Sequence, residues 1–337
     1  MRAGEIKALV SRPGVSRAVI LCHHNADPDA VCSAYALSKL LEALRPGLSL
    51  TCYAAQGVSK VSKRILDYLG FQFSDEVDLG EADVMFMVDT NNVEQLEELK
   101  DAIAERAREI PLVVIDHHAR HPDTERLASL YIVNEKASST CEMMLGLYEQ
   151  LGVEVSRDVA EALFLGIAYD TRHLVFADAD AFLAVAKLVR AGARPRKLFP
   201  LLSVEMDFSE RVARLKACTR ARIYRFGDWL VAFSQVSAFQ ASAARALLGL
   251  GAHLAVVAGE KEGRLRVSMR ATEEFASRTG IHLGRDLARP LGQRIRGMGG
   301  GHALSAGANG EGEPEEALEA CLKLLSKLLG TKGKELK

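Results

Sequence analysis

Short apolar runs alternate with helical stretches over the first half of the chain, and that alternation predicts a parallel sheet wrapped by helices. Arg17–Cys22, Leu48–Tyr53, Val84–Val88, Leu112–Ile115 and Leu130–Val133 read as strands. Helical spacing fills 30–44, 59–69 and 93–108 between them, and continues over 139–151, 156–169 and 180–190. The runs ending at Cys22, Val88 and Ile115 are followed at once by His23, Asp89 and Asp116. These polar groups should emerge at the carboxyl ends of strands, the edge where an open α/β sheet takes its ligands.

A different rhythm follows Ala191–Pro200 (AGARPRKLFP), whose Gly, two Pro and three basic residues mark a linker. Apolar runs at 220–226 and 229–235 flank Gly227-Asp228, a hairpin signal, and 254–258 with 265–269 repeat the pattern around 261–263. A helix at 283–295, a glycine cluster at 297–301 and a closing helix at 315–329 complete a smaller α+β domain. The expected division is 1–190, a linker over 191–205, a second domain over 206–330, and a tail over 331–337 that frays.

A length of 337 residues suits two domains of unequal size, and 48% hydrophobic with 26% charged residues is ordinary for a globular protein. No uncharged run is greasy enough to span a bilayer: the stretch 229–244 lacks charge but carries Ser and Gln. Without a basic segment leading into an apolar one near the start, the expectation is a cytoplasmic protein with no membrane partner. The cysteines, Cys22, Cys32, Cys52, Cys141, Cys218 and Cys321, form no CxxC pair and read as small buried hydrophobes. Net charge is −1, but 190–300 holds 20 Lys and Arg against 9 Asp and Glu. A basic second half suits an anionic ligand, and an acidic first half can hold cations.

The acidic groups are concentrated in four places. The first is His23, His24, Asn25, Asp27 and Asp29 in HHNADPDA, where imidazole and carboxylates four and two residues apart suit Mn²⁺, Mg²⁺, Fe²⁺ or Zn²⁺. Asp89 in MFMVDTNN closes an apolar run, and burying it unpaired would cost several kcal/mol. Asp116, His117 and His118 follow in VVIDHH, and Asp170 ends an apolar helix in IAYDTRH. Each alone has a structural explanation, as a turn or a cap. Together at one sheet edge they would repel unless cations neutralised them. Ser138, Ser139 and Thr140 before CEMM read as helix capping, with Glu142 in the first turn. His173, His253 and His282 lack ligand-spaced partners and read as structural.

HHNADPDAVCSA, MVDTNN, IDHH and AYDTRH resemble, in order and spacing, the four motifs of the DHH phosphoesterase superfamily, over the first 175 residues. That superfamily includes RecJ-type exonucleases, nanoRNases that dephosphorylate 3′-phosphoadenosine 5′-phosphate, cyclic dinucleotide phosphodiesterases and manganese pyrophosphatases. The resemblance implies two Mn²⁺ ions, replaceable by Mg²⁺ or Co²⁺. One would be held by His23, Asp27 and Asp89, the other by Asp29, Asp89, His117 and Asp170, with Asp89 bridging. His118 would face the substrate phosphate and Asp116 would orient its neighbours, leaving Asp89 and His118 as the catalytic pair. Many relatives place Gly where this chain has Pro28, which stiffens the loop without removing a ligand. GMGGGHALSAGA resembles the signature of the DHH-associated domain, with Gly299, Gly300, Gly301 and His302 as an anion nest and Arg270 in RVSMRAT as a phosphate or base contact. The implied active site is a cleft between the domains.

The expected activity is a Mn²⁺-dependent phosphodiesterase that removes mononucleotides from short or single-stranded RNA or DNA, in the 3′ to 5′ direction. Two other functions fit the motifs: a phosphatase or cyclic dinucleotide hydrolase, and a non-catalytic scaffold with replication or repair partners. A homo-oligomer is compatible with either. The glycine signature belongs to a branch other than the pyrophosphatases.

Overall fold

The first unit, Met1–Val204, is built on five parallel strands. They are β1 (Arg17–Cys22), β2 (Ser49–Ala54), β3 (Val84–Val88), β4 (Leu112–Asp116) and β5 (Leu130–Val133), in the order β2-β1-β3-β4-β5. The structure is a computed structural model, described over residues 2–203, 206–261 and 263–336. The strands are near-continuous apolar runs because both faces are covered. Along β1, Ala18, Ile20 and Cys22 enter one core while Val19 and Leu21 enter the other. On the first face lie helices Pro28–Leu44, Thr140–Leu151 and Arg157–Asp170; on the second, Leu96 and Ile103 pack from the segment Val93–Arg106. Fully buried side chains such as Ile20, Phe86 and Phe164 each contribute about 1.5–3 kcal/mol of transfer free energy. The chain turns back between β1 and β3, where an open parallel sheet leaves a crevice at its carboxyl edge.

Helix Pro28–Leu44 starts two residues earlier than its spacing predicts. Asp27 caps it, accepting from the N–H groups of Asp29 and Ala30, and Pro28 takes the first helical position, where its missing N–H costs nothing. The expected linker contains a further helix, Pro195–Leu202, whose Leu198 and Leu202 are buried in the first core. Its sequence looks like a linker because Pro195 and Arg194 stand where a helix begins, and proline is tolerated there. Residues 204 and 205 lie outside the described residues.

The second unit, Glu205–Lys337, carries a mixed sheet of seven strands. These are β6 (Arg222–Phe226), β7 (Trp229–Gln235), β8 (Leu254–Lys261), β9 (Arg264–Ala271), β10 (Met298–Gly301), β11 (Ser305–Gly310) and β12 (Lys334–Leu336), ordered β10-β11-β9-β8-β7-β6-β12. β6 and β7 form the hairpin expected around Gly227, whose φ is +58°. β7 and β8 run parallel, joined through helix Gln240–Gly249. Leu265, Val267 and Met269 face a core shared with helix Pro314–Leu328, while Ala255 and Val257 of the neighbouring β8 face Ala243, Ala244 and Leu247.

Two features go beyond the sequence pattern here. The glycine cluster forms strand β10, paired with β11. Residues 334–336 of the tail pair antiparallel with β6, which offers an unpaired edge.

Candidate active site

The crevice between β1 and β3 collects ionisable groups from five segments. His23 leaves β1, Asp27 and Asp29 open the next helix, Asp89 leaves β3, Asp116, His117 and His118 leave β4, and Asp170 closes helix Arg157–Asp170. His23 Nε2 lies 3.9 Å from Asp27 Oδ1 and 3.8 Å from Asp89 Oδ2. His117 Nε2 lies 3.1 Å from Asp170 Oδ2, 3.7 Å from Asp89 Oδ1 and 4.0 Å from Asp29 Oδ2. Three sets could each hold a metal ion: His23, Asp27 and Asp89; Asp29, His117 and Asp170; and Asp89, His117 and His118. The first two fall within the ligand sets that the family resemblance implies, and Asp89 stands beside both.

Local backbone serves this convergence. Asp89 and Asn25 have φ of +59° and +51°, a left-handed conformation that Asp and Asn adopt more readily than other side chains. Asp29 is fully buried and accepts from the N–H groups of Thr140 (2.7 Å) and Cys141 (3.0 Å), at the start of helix Thr140–Leu151. Asp116 accepts from His117 N and from His118 Nδ1, both at 2.8 Å, and from Asn91 Nδ2.

So much buried negative charge shifts protonation. Burial, then the charge of Asp170, raises the Asp29 carboxyl to about 7. Burial pushes Asp89 well up, reinforced by Asp29, Asp27, Asp116 and Asp170, and burial with Asp170 also raises Asp27. Burial works against the charged form of His117, but Asp170 and Asp29 outweigh it and lift the ring to about 9. The hydrogen bond to Asp116 raises His118, which keeps 58% of its side chain exposed. Carboxylates that retain protons, around a ring that would gain one, describe a place that gains by exchanging protons for a divalent cation. His117 Nε2 points the same way. By hydrogen-bond geometry it is the one buried side-chain nitrogen or oxygen among the described residues with no partner, although an Asp170 oxygen lies 3.1 Å away.

In the second unit, Arg270 is half-buried on β9 and donates from Nη1 to the carbonyl of Met269. Burial and the neighbouring Arg245 lower its pKa, so two cations stand close together. The three glycines have different tasks. A Cβ on Gly299 would meet the Ala288 carbonyl, and one on Gly301, at φ +133°, would meet Ser305 and Ala306; Gly300 faces open space. Only Gly300 therefore leaves room for a ligand against the backbone. His302 is exposed, its N–H bonded to the Ser305 carbonyl.

Three contributors escape the sequence reading. Thr140 donates from Oγ1 to Asp89 Oδ1 (2.8 Å), in addition to its place at the helix start. Asn91 holds Asp116 and the carbonyl of Ala119 (3.0 Å). Gly166 lets helix Arg157–Asp170 approach: a Cβ there would lie 2.2 Å from Cys141 Sγ and 2.7 Å from Asp29 Oδ1. A glycine inside the apolar run LFLGIAY was the available signal. Ser139 does cap its helix, accepting from Glu142 N, and His253 and His282 accept backbone N–H groups as structural residues.

Residues 17–167 match the DHH family, N-terminal domain, and residues 237–331 match the DHHA1 domain. An uncharacterised protein of Methanocaldococcus jannaschii is 35% identical over 307 residues, 90% of each chain. The chain belongs to the DHH family. It is thereby a DHH phosphoesterase, a hydrolase. Among curated relatives, a probable manganese-dependent inorganic pyrophosphatase of Exiguobacterium sp. is 25% identical over 238 residues, covering 68% of this chain and 73% of that protein. The bifunctional oligoribonuclease and PAP phosphatase NrnA of Thermus thermophilus is 27% identical over 231 residues, 66% of each chain.

Proposed function

We propose that this DHH protein is a manganese-dependent phosphodiesterase that removes mononucleotides from short single-stranded oligonucleotides, from the 3′ end. The observation that carries the reading is the meeting of two ligand sets at Asp89 and His117, in a chain that also has a DHHA1 domain. The oligoribonuclease named among the relatives favours an oligonucleotide substrate, and the basic charge of residues 190–300 suits one.

His23, Asp27 and Asp89 would hold one ion, and Asp29, His117 and Asp170, beside Asp89, a second. Such ions, when bound, supply a water activated near neutral pH and a clamp for phosphoryl oxygens. The remaining chemistry belongs to the protein. The N–H groups of Thr140 and Cys141 fix the Asp29 carboxylate, and the Thr140 hydroxyl fixes Asp89. Asp116 engages His118 Nδ1, which favours the charged ring and leaves Nε2 to donate to a phosphate oxygen. Arg270, Gly300 and His302 would hold the nucleotide to be released.

The test is incubation with Mn²⁺ and end-labelled RNA and DNA from dinucleotides upward, beside 3′-phosphoadenosine 5′-phosphate, cyclic dinucleotides and pyrophosphate. The expected result is a ladder shortened one nucleotide at a time from the 3′ end. Hydrolysis of pyrophosphate alone would shift the reading to the activity named for the Exiguobacterium relative. Release of phosphate from the mononucleotide alone would make the protein a phosphatase.

A further inference from the structure

A cavity of about 520 Å³ lies wholly within the second unit, lined by Phe239, Gln240, Gly259, Arg264, Arg266 and Asn309 among others. None of these belongs to the groups discussed above. Its size is that of a pocket for a nucleotide-sized ligand. Arg264 and Arg266 are exposed, and neither guanidinium has an ion-pair or hydrogen-bond partner among the described residues. Phe239 keeps 38% of its surface exposed and packs on no other ring among the described residues. Its φ is +60°, a backbone region that bulky side chains avoid and that tends to persist where a site uses it.

Register links this cavity to Arg270. Because Leu265, Val267 and Met269 point into the core, Arg266, Ser268 and Arg270 share the opposite face of β9. Asn309, Gly307 and Ser305 of β11 stand directly beside them. The two arginines are thus roughly 13 Å apart along one strand. Between them lie Gly307 and the buried Ser268, beside helix Gln240–Gly249, whose Arg245 stands close to Arg270. Within the cavity, two exposed arginines beside a partly exposed aromatic ring are the groups that bind single-stranded nucleic acid without sequence preference.

We propose that the Phe239–Arg266 cavity is a second nucleotide subsite, in which a base of a single-stranded oligonucleotide stacks on Phe239 and its phosphate pairs with Arg266 and Arg264. The inference rests on the nuclease reading above, since it adds a distal subsite to the same substrate. It makes the protein prefer chains longer than a dinucleotide.

The experiment compares the full chain with Phe239→Asn and Arg266→Gln. It measures kcat/KM on a dinucleotide and a pentanucleotide with Mn²⁺, and pentanucleotide affinity by fluorescence anisotropy in EDTA. Asparagine accepts positive φ better than phenylalanine, so Phe239→Asn should melt no lower than wild type while removing the platform. The expected result is a loss of roughly tenfold on the pentanucleotide in each variant, the value of one stacked base, with the dinucleotide unchanged. Equal values for variants and wild type on the pentanucleotide overturn the subsite and leave the nuclease reading standing. An equal fall on both lengths overturns it too, because a distal pocket does not touch a dinucleotide. If the wild type cleaves no oligonucleotide, the nuclease reading fails, and anisotropy alone decides: weakened binding in the variants supports the subsite, and unchanged binding removes it.

Discussion

Asp89 concentrates the costs of the site in one residue. It is 2% exposed, adopts a left-handed backbone at the end of a wholly apolar strand, and lies among Asp27, Asp29, Asp116 and Asp170. The hydrogen bond from Thr140 offsets only part of that cost, whereas a shared divalent cation would neutralise the charge. Asp89→Asn keeps the shape and the contact with Thr140 but removes the charge. It should melt at or above the wild type without metal, lose the melting shift that Mn²⁺ gives, and lose more than ~100-fold in hydrolysis, since even groups that only support a ligand are worth 10- to 100-fold. Undiminished Mn²⁺-dependent turnover would refute the catalytic reading. Asp116→Asn tests His118 separately. Asp116 raises the His118 pKa, so its loss lowers it toward the ordinary value. The alkaline limb of the kcat/KM profile should then move to lower pH while Mn²⁺ affinity changes much less than in Asp89→Asn; an unmoved limb excludes a charged His118.

At the scale of elements, the site depends on how closely two helices approach. Gly166 of helix Arg157–Asp170 leaves room for Cys141 and for the buried oxygen of Asp29. Alanine normally gains about 1 kcal/mol over glycine inside a helix. Here that gain is overrun by the clash: Gly166→Ala should destabilise the protein by about 1–3 kcal/mol, as overpacking does, and weaken Mn²⁺ binding by displacing Asp29. A denaturant melt at or above wild type would contradict this. The same element shows what sequence can and cannot convey. Asp170 was legible because a carboxylate ending an apolar helix is a local anomaly. Gly166 shows in the sequence only as a glycine inside an apolar run, and its reason lies 25 residues away in Cys141 and farther still in Asp29. His23, Asp89 and Asp116 were legible for the same local reason, each following an apolar strand. Thr140 was hidden because a Thr at a helix start already has a sufficient explanation. In the second unit, β11 (SAGANG) carries no β-branched residue and was missed; its pairing with β9 and β10 supplies what its own propensity does not. The glycine cluster read as a nest is mostly close packing, a distinction that only the neighbouring backbones make.

For the whole molecule, proton linkage sets how metal and stability respond to pH. Asp29 rises from the ordinary carboxyl range to about 7 and His117 to about 9. Both groups therefore bind more protons folded than unfolded: Asp29 between about pH 4 and 7, His117 between about 6.5 and 9. With the native state the more protonated one, stability without metal is greatest at the acid end and declines as pH rises through these windows. Divalent cations reverse the trend, because they require the deprotonated carboxylates and the neutral ring and expel these protons on binding. At pH 6 both groups surrender a proton; at pH 8 Asp29 has already lost its own and mainly His117 still has one to give. Mn²⁺ affinity should thus climb with pH, by roughly tenfold per pH unit for each proton released, more slowly above about pH 7 and flattening above about pH 9. Titration calorimetry in two buffers of different ionisation enthalpy counts the protons directly. A count that falls from pH 6 to pH 8 is the expected outcome. A count near zero at both would mean that the cation binds elsewhere, away from Asp29 and His117.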